Sequence, residues 1–452
     1  MAQIADMFDV AVVGYGPVGA VAANLLGRAG INTLVVDRAQ DIYDRPRAIA
    51  LDHEIARVLQ GIGLADAIDP YVAPFTASEY YGVDGQLIKR LDMVAPPYPQ
   101  AWTPSMVFMQ PEIERLLREN VAVAGTVRVH LGQTVHGVAQ NADAVTLALR
   151  DEGGHVSTIS ARYVIACDGS TSTIRQSLGI EFDDLGFDQP WLVVDVVANE
   201  RGLAKLPKTS VQYCEPQRPT TFVIGTGAHR RWEIMLSEDE DPRQMEKPDS
   251  VWRLLSRWIT PDDARLWRSA SYRFHALVAR QWQSGRIFLA GDAAHQQPPF
   301  LGQGLCQGVR DVANLSWKLE RVLSGQSPPA ILQSYTIERS THVRKLTGII
   351  KSIGSLIAER DQTLAAERDI RLIAEAGGAV RSMPRQDLMP GLENGLLSTH
   401  VEGGVGTLFP QPWVNLNGQR CRLDDVCKHG FLVVLAASFS PVSDDFYDVC
   451  RS

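Results

Sequence analysis

The chain has 452 residues, 45% of them hydrophobic and 21% charged, which is typical of a soluble globular enzyme with room for two or three domains. The formal net charge of −8 and the pI near 5.7 argue against a nucleic-acid-binding surface. The N-terminal stretch has no basic run, no apolar segment is long enough to span a membrane, and the six scattered cysteines form no C-x-x-C pair, so we expect a cytoplasmic protein with reduced thiols.

The N-terminal part predicts alternating strands and helices. Asp9–Val13 is predicted as a buried strand, Pro17–Arg28 as a helix and Ile31–Val36 as a second strand. A unit of this kind implies parallel strands joined by a right-handed crossover. Further predicted elements are the helices Ala48–Gln60 and Glu112–Val123 and the strands Val127–Val138, Ala144–Leu149 and Tyr163–Cys167.

The pattern changes in the middle of the chain, where short runs rich in β-branched and aromatic residues follow one another. An inserted antiparallel sheet explains them better than further strand–helix units. The predicted strands are Trp191–Val197, Ser210–Tyr213, Thr221–Gly225 and Arg231–Leu236.

After this insert the alternating pattern returns and then ends. Arg286–Ala290 is predicted as a buried strand and Gly304–Leu323 as a long helix, and Pro329–Ala376 is mostly helical. We therefore predict a discontinuous domain over residues 1–182 and 272–376 and a sheet domain over 183–271. A linker is predicted over residues 377–407, followed by a short tail, 408–452, with one strand at Phe431–Ala436.

The first chemical signal is the run Gly14-x-Gly16-x-x-Gly19 between a predicted strand and a predicted helix. Gly14 permits the tight turn, Gly16 lets the backbone approach a pyrophosphate, and Gly19 lets the helix pack on the strand. Asp37, at the end of the second strand, can accept hydrogen bonds from ribose hydroxyls. FAD and NAD share this fingerprint, so it does not name the cofactor.

A second signal is Cys167-Asp168-Gly169-Ser170, which follows a predicted strand. By itself it is equally consistent with an Asp-Gly turn and a helix cap at Ser172 or Thr173.

The third signal begins at Gly291-Asp292, after another buried strand. The Asp292 carboxylate could hold a ribityl hydroxyl, and the loop Gly302-Gln303-Gly304 could offer backbone N–H groups to an electron-rich ring. Pro298-Pro299 would form a stiff wall beside that ring. A plain NAD-dependent dehydrogenase has no evident use for this second set of cofactor contacts. Glycines in this segment are also consistent with close helix packing.

Three segments together resemble the class A FAD-dependent aromatic monooxygenases: GYGPVGAVAANLLGRAG, ACDGSTSTIRQSLGI and GDAAHQQPPFLGQGLCQGVRDVANLSWKL. RRWEIML and YRFHALVARQWQSGRIFLAGDAAH are similar to the 3-(3-hydroxyphenyl)propionate hydroxylase branch, and the resemblance covers roughly residues 8–350. It implies an α/β fold with an α+β insert, in which a Rossmann-type FAD-binding domain joins an antiparallel-sheet substrate domain, as in p-hydroxybenzoate hydroxylase. In the tail, GQRCRLDDVCKHGFLVVLAAS resembles only the beginning of a thioredoxin-like domain.

The resemblance also implies residue roles. Asp168 would serve both FAD and NAD(P)H, and Arg47 would contact FAD and help the flavin move. The full set of residues expected to contact FAD is Gly14, Gly16, Pro17, Val18, Gly19, Asp37, Arg38, Arg45, Arg47, Gln110, Asp168, Gly291, Asp292, Pro299, Gly302, Gln303, Gly304 and Leu305.

The reaction that the resemblance implies consumes NADH or NADPH to reduce FAD. O2 then forms a flavin C4a-hydroperoxide, which delivers OH to a phenolic ring. The leading expectation for the substrate is a 3-hydroxyphenylpropionate-like phenol. A resorcinol-type phenol, a hydroxybenzoate, and a polyketide or antibiotic aromatic are the alternatives. We expect a small aromatic partner and O2, no nucleic acid, no membrane span and no metal, and a homodimer is compatible with the resemblance.

Other residues are candidates for catalysis and for substrate contact. His295, Pro298 and Pro299 are the candidates nearest the expected flavin, although His295 suits a structural hydrogen bond equally well. Weaker candidates for a phenol-deprotonating base are His229, His275 and Tyr213. Candidates for substrate contact are the strand aromatics Trp191, Tyr213, Phe222 and Trp232.

Two further side chains have alternative roles. Arg231 could pair with a substrate carboxylate or lie on a solvated face, and Cys306 is expected to be a small packing residue.

Other classes of enzyme explain the sequence less well. A disulfide reductase would need a second complete G-x-G-x-x-G and a redox cysteine pair, but Gly225-x-Gly227 is followed by Arg230 in place of the third glycine. A flavin-dependent oxidase or dehydrogenase without oxygen insertion, and a flavin-binding module without catalysis, remain as alternatives.

Overall fold

The computed structural model describes residues 7–399, 403–427 and 432. The chain forms two compact units, one ending at Phe409 and the other beginning at Pro410. In the described residues, no helix is both long and apolar enough to cross a membrane.

The first unit contains twenty described strands. In chain order they are β1 (Met7–Val13), β2 (Thr33–Val36), β3 (Ala50–Asp52), β4 (Val72–Pro74), β5 (Ser78–Tyr81), β6 (Leu87–Asp92), β7 (Ser105–Phe108), β8 (Val127–His130), β9 (Gln133–Gln140), β10 (Val145–Asp151), β11 (Val156–Ala166), β12 (Phe182–Ala198), β13 (Ser210–Tyr213), β14 (Thr220–Ile224), β15 (His229–Met235), β16 (Ala264–Ala279), β17 (Gln283–Ser284), β18 (Ile287–Leu289), β19 (His295–Gln296) and β20 (Ser382–Pro384).

Its α-helices are α1 (Pro17–Arg28), α2 (His53–Gly61), α3 (Gln110–Ala122), α4 (Thr173–Ser177), α5 (Glu200–Lys205), α6 (Pro242–Met245), α7 (Pro248–Leu255), α8 (Gly304–Leu323), α9 (Gln333–Ile357) and α10 (Gln362–Glu375). Short 3-10 helices lie at Asp69–Tyr71, Gly291–Ala293, Pro299–Leu301, Pro329–Leu332 and Arg385–Leu388.

The first sheet is the parallel sheet that the N-terminal pattern predicts. It has eight strands, six of them in the order β17-β18-β11-β1-β2-β8, in which the pairs β1–β2, β1–β11, β2–β8 and β11–β18 are parallel and β17–β18 is antiparallel. The other two strands extend from β11, because β10 pairs with β11 and β9 with β10, both antiparallel. Strand β1 lies near the centre, and its residues Val10–Val13 are fully buried or nearly so because helices cover the sheet. The carboxyl ends of β1, β11 and β18 therefore meet at one edge.

The second sheet has nine strands in the order β19-β16-β12-β15-β14-β13-β5-β6-β20. Most neighbours are antiparallel, as the insert predicts, but β13–β5 and β20–β6 are parallel. A three-stranded antiparallel sheet, β3-β7-β4, is the third sheet of this unit. The mixed α/β architecture with a parallel and a mainly antiparallel sheet confirms the expected fold class.

The two faces of the second sheet pack differently because successive residues of a strand point to opposite sides. In β12, Leu192 and Val194 join a core that includes α7, whereas Trp191 and Val193 face a second core formed with α9. Each alternate residue along these strands therefore has a defined side, and only one of the two sides can line a site.

The structure corrects three predictions of local structure. The predicted helix Ala48–Gln60 is instead β3 followed by α2, because the Asp52 side chain accepts hydrogen bonds from the N–H groups of Glu54 and Ile55 and so caps the helix. The predicted linker, 377–407, supplies strand β20. Segment 78–92, inside the predicted first domain, supplies β5 and β6 to the second sheet.

In the second unit, the described residues form a hairpin of β21 (Trp413–Leu416) and β22 (Gln419–Arg422), followed by helix α11 (Leu423–Cys427). The strand predicted at 431–436 lies outside the described residues, apart from Leu432.

Candidate active site

A cavity of about 440 Å³ opens between the first and second sheets. The side that belongs to the first sheet and its loops consists of Gly16, Pro17, Val18, Arg47, Ala48, Gln110, Cys167, Gly169, Ala290, Gly291, Asp292, Pro299, Gly302, Gly304 and Leu305. The side formed by the second sheet and neighbouring segments includes Ser78, Val193, Ser210, Gln212, Thr221, Val223, Arg231, Glu233, Arg268, Tyr272, Phe274 and Arg385.

The glycines of the first turn are fixed by sterics. Gly14 has φ +99°, and a Cβ there would lie 2.3 Å from the carbonyl oxygen of Cys167. A Cβ on Gly19 would lie 1.9 Å from the carbonyl oxygen of Gly14, whereas one on Gly16 would meet nothing within 4 Å. Gly14 and Gly19 thus allow the turn to close, and Gly16 leaves open space in front of the backbone.

Helix α1 begins at this open space. No side chain caps its N-terminus, and Pro17 occupies its first turn. The remaining N–H groups and the positive end of the helix dipole are suited to a phosphate group.

Asp37 follows β2, and its carboxylate accepts hydrogen bonds from the backbone N–H groups of Tyr15 at 2.5 Å and Ala39 at 2.7 Å. It therefore lies against the glycine turn, where a ribose is expected. Arg38 and Arg45 are exposed and are not among the residues that line the cavity, and Arg45 pairs with Asp44 at 3.8 Å.

Gln110 fixes the segment that contains Arg47. Its Oε1 accepts hydrogen bonds from the backbone N–H groups of Arg47 at 3.2 Å and Ala48 at 2.6 Å. Both Arg47 and Gln110 line the cavity, so the structure brings these two predicted residues to the same wall.

The Asp292 carboxyl lies in the cavity wall after β18. Its accessible surface opens into the cavity, where removal from bulk water raises the pKa of the carboxyl, opposed by His295 and Arg47. Asp168 is partly buried after β11. Burial raises the pKa of Asp168, and one of its carboxylate oxygens, Oδ1, has no hydrogen-bond partner, so it retains capacity for a further donor.

In the G-Q-G loop the two glycines and the glutamine have different roles. Gly302 has φ +60°, and a Cβ at this position would lie 2.8 Å from Cβ of Ala50. A Cβ at Gly304 would have no neighbouring atom within 4 Å. Gln303 points away from the cavity and donates to the Asp52 carboxylate at 3.2 Å. The loop therefore presents backbone, and helix α8 begins there without a side-chain cap.

The structure places His295 outside the cavity wall. Its Nε2 lies 2.7 Å from the Asp311 carboxylate, and its ring stacks on Trp282. Asp311 also accepts from the backbone N–H of Gly291 at 3.0 Å and from Arg339 Nε at 2.9 Å. His295 thus holds the loop that contains Asp292. Of the two prolines, Pro299 lines the cavity and Pro298 does not.

The four aromatic residues predicted to contact substrate do not line the cavity. Tyr213, Phe222 and Trp232 belong to the core on the opposite face of the second sheet. Trp191 is on the correct face but lies behind Phe274, with ring centroids 5.4 Å apart. The strands form where the sequence predicts them, but Tyr213, Phe222 and Trp232 lie on the face away from the cavity. Burial by a core and burial by a ligand give the same sequence pattern.

The residues that alternate with these aromatics form a polar wall. Gln212, Thr221, Arg231 and Glu233 face the cavity, and each is less than 5% exposed. The Thr221 hydroxyl donates to Gln212 Oε1 at 2.5 Å. Buried polar residues in successive predicted strands are the signal that could have identified this wall.

A buried charge cluster lies behind the polar wall. The Asp195 carboxylate accepts from Arg231 Nε at 2.7 Å and from Arg268 Nη1 at 3.4 Å, and His229 Nε2 lies 2.7 Å from it. Burial would raise the pKa of Asp195, but Arg231 and His229 outweigh burial and lower it to about 2. Arg231 is therefore neither solvated nor free, and two guanidinium groups share one carboxylate.

Glu233 and Arg385 are among the cavity residues that were not predicted as site residues. Glu233 is a carboxyl that burial brings to a pKa of about 7, although Arg231 opposes this rise. Arg385, from the segment predicted as a linker, donates to the carbonyl oxygen of Leu301 and lies over the Phe75 ring. Neither belongs to a motif with a fixed spacing.

The remaining candidates lie elsewhere. His275 is 3.3 Å from the Asp188 carboxylate, on a strand of the second sheet, and is not among the cavity residues. Burial raises the pKa of the Cys306 thiol, so the residue is a packing residue rather than a thiolate. In the described residues, no group of three or more His, Cys, Asp and Glu is arranged to hold a metal ion.

A surface that we call the cradle is suited to a flavin dinucleotide along its whole length. It consists of the glycine turn, the start of α1, Asp37, Asp292 and the Gly302–Gly304 loop. An open glycine turn and an uncapped helix face the position of a pyrophosphate, and Asp37 lies beside it. Asp292 and the backbone of Gly302–Gly304 face the cavity further along. This combination defines a flavoprotein in which the cofactor shares one cavity with a second ligand.

The chain belongs to the family described as "FAD binding domain", whose model matches residues 7–348. It is 37% identical over 428 residues to the "Probable NADH-specific resorcinol 4-hydroxylase" of Rhodococcus jostii (strain RHA1), covering 94% of this chain and 78% of that protein. It is 34% identical over 438 residues to the "3-(3-hydroxy-phenyl)propionate/3-hydroxycinnamic acid hydroxylase" of Mycolicibacterium gilvum (strain PYR-GCK), covering 94% and 75%.

Solved structures share the fold. The flavin-dependent monooxygenase PieE, in complex with FAD and substrate, superposes with a TM-score of 0.80 at 21% identity, covering 93% of this chain and 83% of that one. The p-nitrophenol 4-monooxygenase PnpA from Pseudomonas putida DLL-E4 gives a TM-score of 0.74 at 24% identity, covering 82% and 94%. The expected resemblance to FAD-dependent aromatic monooxygenases is thereby confirmed.

Proposed function

We propose that this protein is a single-component hydroxylase that uses FAD, NADH or NADPH, and O2 to add a hydroxyl group to a small phenol. The observation that supports this most strongly is the shared cavity, which has a dinucleotide cradle on one side and a polar, partly aromatic wall on the other. The names of the relatives, which are hydroxylases of resorcinol and of hydroxyphenylpropionate, point to the same reaction class.

The residues that would hold FAD are those of the cradle. The backbone at Gly16 and the start of α1 would bind the pyrophosphate, Asp37 the ribose and Asp292 the ribityl chain. The backbone of the Gly302–Gly304 loop, with the start of α8, would lie against the ring system. When bound, FAD supplies the redox and oxygen-activating chemistry, which no protein side chain can provide.

The chain's own contribution is to orient the phenol and to exclude water. Val193, Val223, Phe274 and Phe300 supply apolar surface to the cavity. Removal of water matters because reactive oxygen species formed in the cavity would otherwise be lost to side reactions. The polar residues of the opposing strands then fix the hydroxyl group of the ring.

Arg385 supports a substrate with a carboxylate. Its guanidinium is buried in the cavity wall and donates to the carbonyl oxygen of Leu301, and the ion pairs of the described residues include none with Arg385. An Arg in this state can bind a ligand carboxylate through charge-assisted hydrogen bonds. We therefore place a 3-hydroxyphenylpropionate-like phenol first and a resorcinol-type phenol second.

A panel of phenols tests the function. Purified holoprotein would be mixed with NADH or NADPH and with resorcinol, 3-(3-hydroxyphenyl)propionate, 3-hydroxybenzoate or a polyketide phenol, and both coenzyme oxidation and product mass would be followed. We expect at least one phenol to stimulate coenzyme oxidation and to gain one oxygen atom. Stimulated oxidation with hydrogen peroxide as the only product for every phenol would contradict hydroxylation, and a colourless protein that binds no FAD would contradict the cofactor as well.

A further inference from the structure

Glu233 is a buried carboxyl that faces the cavity without a partner. It lies in β15, is 4% exposed and lines the cavity. No side chain or backbone group among the described residues donates a hydrogen bond to it or forms an ion pair with it. Arg231, two residues earlier on the same face, instead donates to Asp195 and to the carbonyl oxygen of Arg47.

The neighbours of Glu233 on the adjacent strands are neutral. In register it is paired with Val193 of β12 and Thr221 of β14, and the Thr221 hydroxyl is occupied by its hydrogen bond to Gln212. These contacts leave the Glu233 carboxyl oriented toward the ligand space with no donor of its own.

Charged and titratable groups surround Glu233 on its own strand, on two further strands and on the segment that contains Arg385. Arg231 lies on its own strand, Asp195 on β12, and Arg268 and Tyr272 on β16, where Arg268 donates to the Tyr272 hydroxyl. Arg385 lines the same cavity. Arg268 also lines the cavity and its Nε is buried without a hydrogen-bond partner, so a second guanidinium brings positive charge close to the ligand space.

A purely structural role does not explain this arrangement. A buried ionisable group without a partner is costly, and an amide or an apolar side chain would fill the same space at lower cost. Desolvation raises the pKa of the Glu233 carboxyl to about 7, the range in which a carboxyl works best as a base at neutral pH. Groups in this state are typical of catalytic sites.

We propose that Glu233 is the catalytic base that deprotonates the phenol, an inference that rests on the proposed hydroxylase function. The Glu233 carboxylate accepts the proton of the phenolic hydroxyl, and the electron pair of the O–H bond stays on the phenol oxygen. The products of this step are a carboxylic acid and a phenolate, whose ring is more nucleophilic toward the oxygen that is added. Loss of the proton to solvent, when the hydroxylated product leaves, restores the carboxylate.

The surroundings of Glu233 reduce the difference in pKa that opposes this proton transfer. A phenol has an ordinary pKa of about 10, so an ordinary glutamate at about 4.3 would be too weak a base by nearly six pKa units. Burial narrows that difference to roughly three units. The guanidinium groups of Arg231 and Arg268 favour the phenolate over the neutral phenol and narrow it further.

The test compares Glu233→Gln with wild-type holoenzyme on two phenols that differ in acidity, the best phenol of the panel and a fluorinated analogue of it. We expect the variant to bind FAD and phenol, measured by flavin fluorescence titration, with dissociation constants within a few fold of wild type. Hydroxylation of the ordinary phenol should fall by about 100-fold or more, the usual contribution of a general base. The loss should be at least about tenfold smaller for the fluorinated phenol, because its hydroxyl ionises without help.

The pH dependence gives a second readout. In wild type, the hydroxylation rate should fall as pH decreases through about 7, because protonated Glu233 cannot accept a proton. Glu233→Gln should lose this fall, and Glu233→Asp, which keeps a carboxylate, should restore part of the rate. Glu367→Gln is the matched control, since it makes the same change at an exposed helix position outside the cavity and should keep the pH dependence of wild type.

The outcomes separate the two proposals. A wild-type enzyme that hydroxylates no phenol contradicts the proposed function, and this inference falls with it. A wild-type enzyme that hydroxylates phenols, combined with a Glu233→Gln variant that has the same rate or loses equal activity on both phenols, overturns the role of Glu233 alone.

Discussion

A methyl group on Gly19 would lie 1.9 Å from the carbonyl oxygen of Gly14, well inside any allowed contact distance. The first turn of α1 therefore packs on the backbone just after β1 too closely for any side chain at position 19. Gly16, between these two glycines, faces open space. The turn thus separates a glycine needed for packing from a glycine needed for the approach of a ligand.

This separation predicts different effects for two alanine substitutions. Gly19→Ala should prevent correct folding of the first sheet, because the clash is with backbone and cannot be relieved by a side-chain rotation. Gly16→Ala should fold normally and lose FAD affinity by tenfold or more, about 1.4 kcal/mol, because its methyl group projects toward the ligand. Circular dichroism and FAD content of the purified variants would measure the two effects. A Gly16→Ala protein that retains FAD as wild type does would argue against a pyrophosphate at this turn.

The Asp195 cluster predicts an acid-sensitive contribution to stability. A carboxylate whose pKa falls from 3.8 to about 2 on folding stabilises the folded state at pH above about 4, and this contribution disappears as pH falls toward 2. Asp195→Asn should lower the free energy of unfolding by about 3 kcal/mol near pH 7, since it leaves two buried guanidinium groups without their carboxylate. Urea denaturation at pH 7 and at decreasing pH would show the difference and its loss in acid.

Asp188→Asn is the control for this experiment. Its ion pair with Arg273, at 2.8 Å, lies on the surface, so its removal should cost only a few tenths of a kcal/mol. Equal destabilisation by the two variants would show that the buried cluster contributes no more to the free energy of unfolding than a surface ion pair does.

For Glu233 we predict a pH dependence of stability opposite in sign to that of Asp195. A carboxyl whose pKa rises from 4.5 to about 7 on folding destabilises the folded state increasingly as pH rises between these values. Glu233→Gln should therefore be more stable than wild type by about 3 kcal/mol at pH 8 and should differ little at pH 4. Urea denaturation at both pH values would measure this, and a gain in stability joined to a loss of turnover would be a direct trade-off between stability and function.

The exposed helix position Glu367 offers a control, because Glu367→Gln should leave the pH dependence of unfolding unchanged. If Glu233→Gln is less stable than wild type at pH 8, the carboxylate has a stabilising partner and its assignment as an unpaired base is wrong.

The position of Arg385 in the cavity wall predicts that the enzyme distinguishes phenols with a carboxylate from phenols without one. Arg385→Met should raise KM for 3-(3-hydroxyphenyl)propionate by about tenfold through the loss of a charge-assisted hydrogen bond, while KM for resorcinol, which has no carboxylate, should change far less. Steady-state kinetics with both phenols would measure the ratio. Arg381→Met, at an exposed position on the same segment, is the matched control, and an equal rise in KM for both substrates would exclude a carboxylate contact.

The dinucleotide cradle could be predicted from sequence because its chemistry is local. Gly14, Gly16 and Gly19 are needed at fixed spacing by one turn, and Gly291-Asp292 follows directly after a buried strand, so both signals appear in short windows. Their meeting at one edge of the sheet then follows from the parallel order of β1, β11 and β18.

The substrate wall could not be predicted in the same way. Tyr213, Phe222 and Trp232 have the size of pocket residues, but the side of a strand that faces a ligand depends on what packs on the other side, here α7 and its core. Arg385 directly follows β20, which pairs with β6, a strand far earlier in the sequence. Such long-range pairing leaves no local pattern, and for this reason the segment looked like a linker.

The most direct test of the account is the source of the added oxygen. Holoenzyme, NADH or NADPH and the preferred phenol would be incubated under isotopically heavy O2 in ordinary water, and the product would be analysed by mass spectrometry. We predict that each molecule of product gains one heavy oxygen atom, with coenzyme consumed in equal amount. A product whose new oxygen comes from water, or coenzyme oxidation with no hydroxylated product from any phenol, would contradict it.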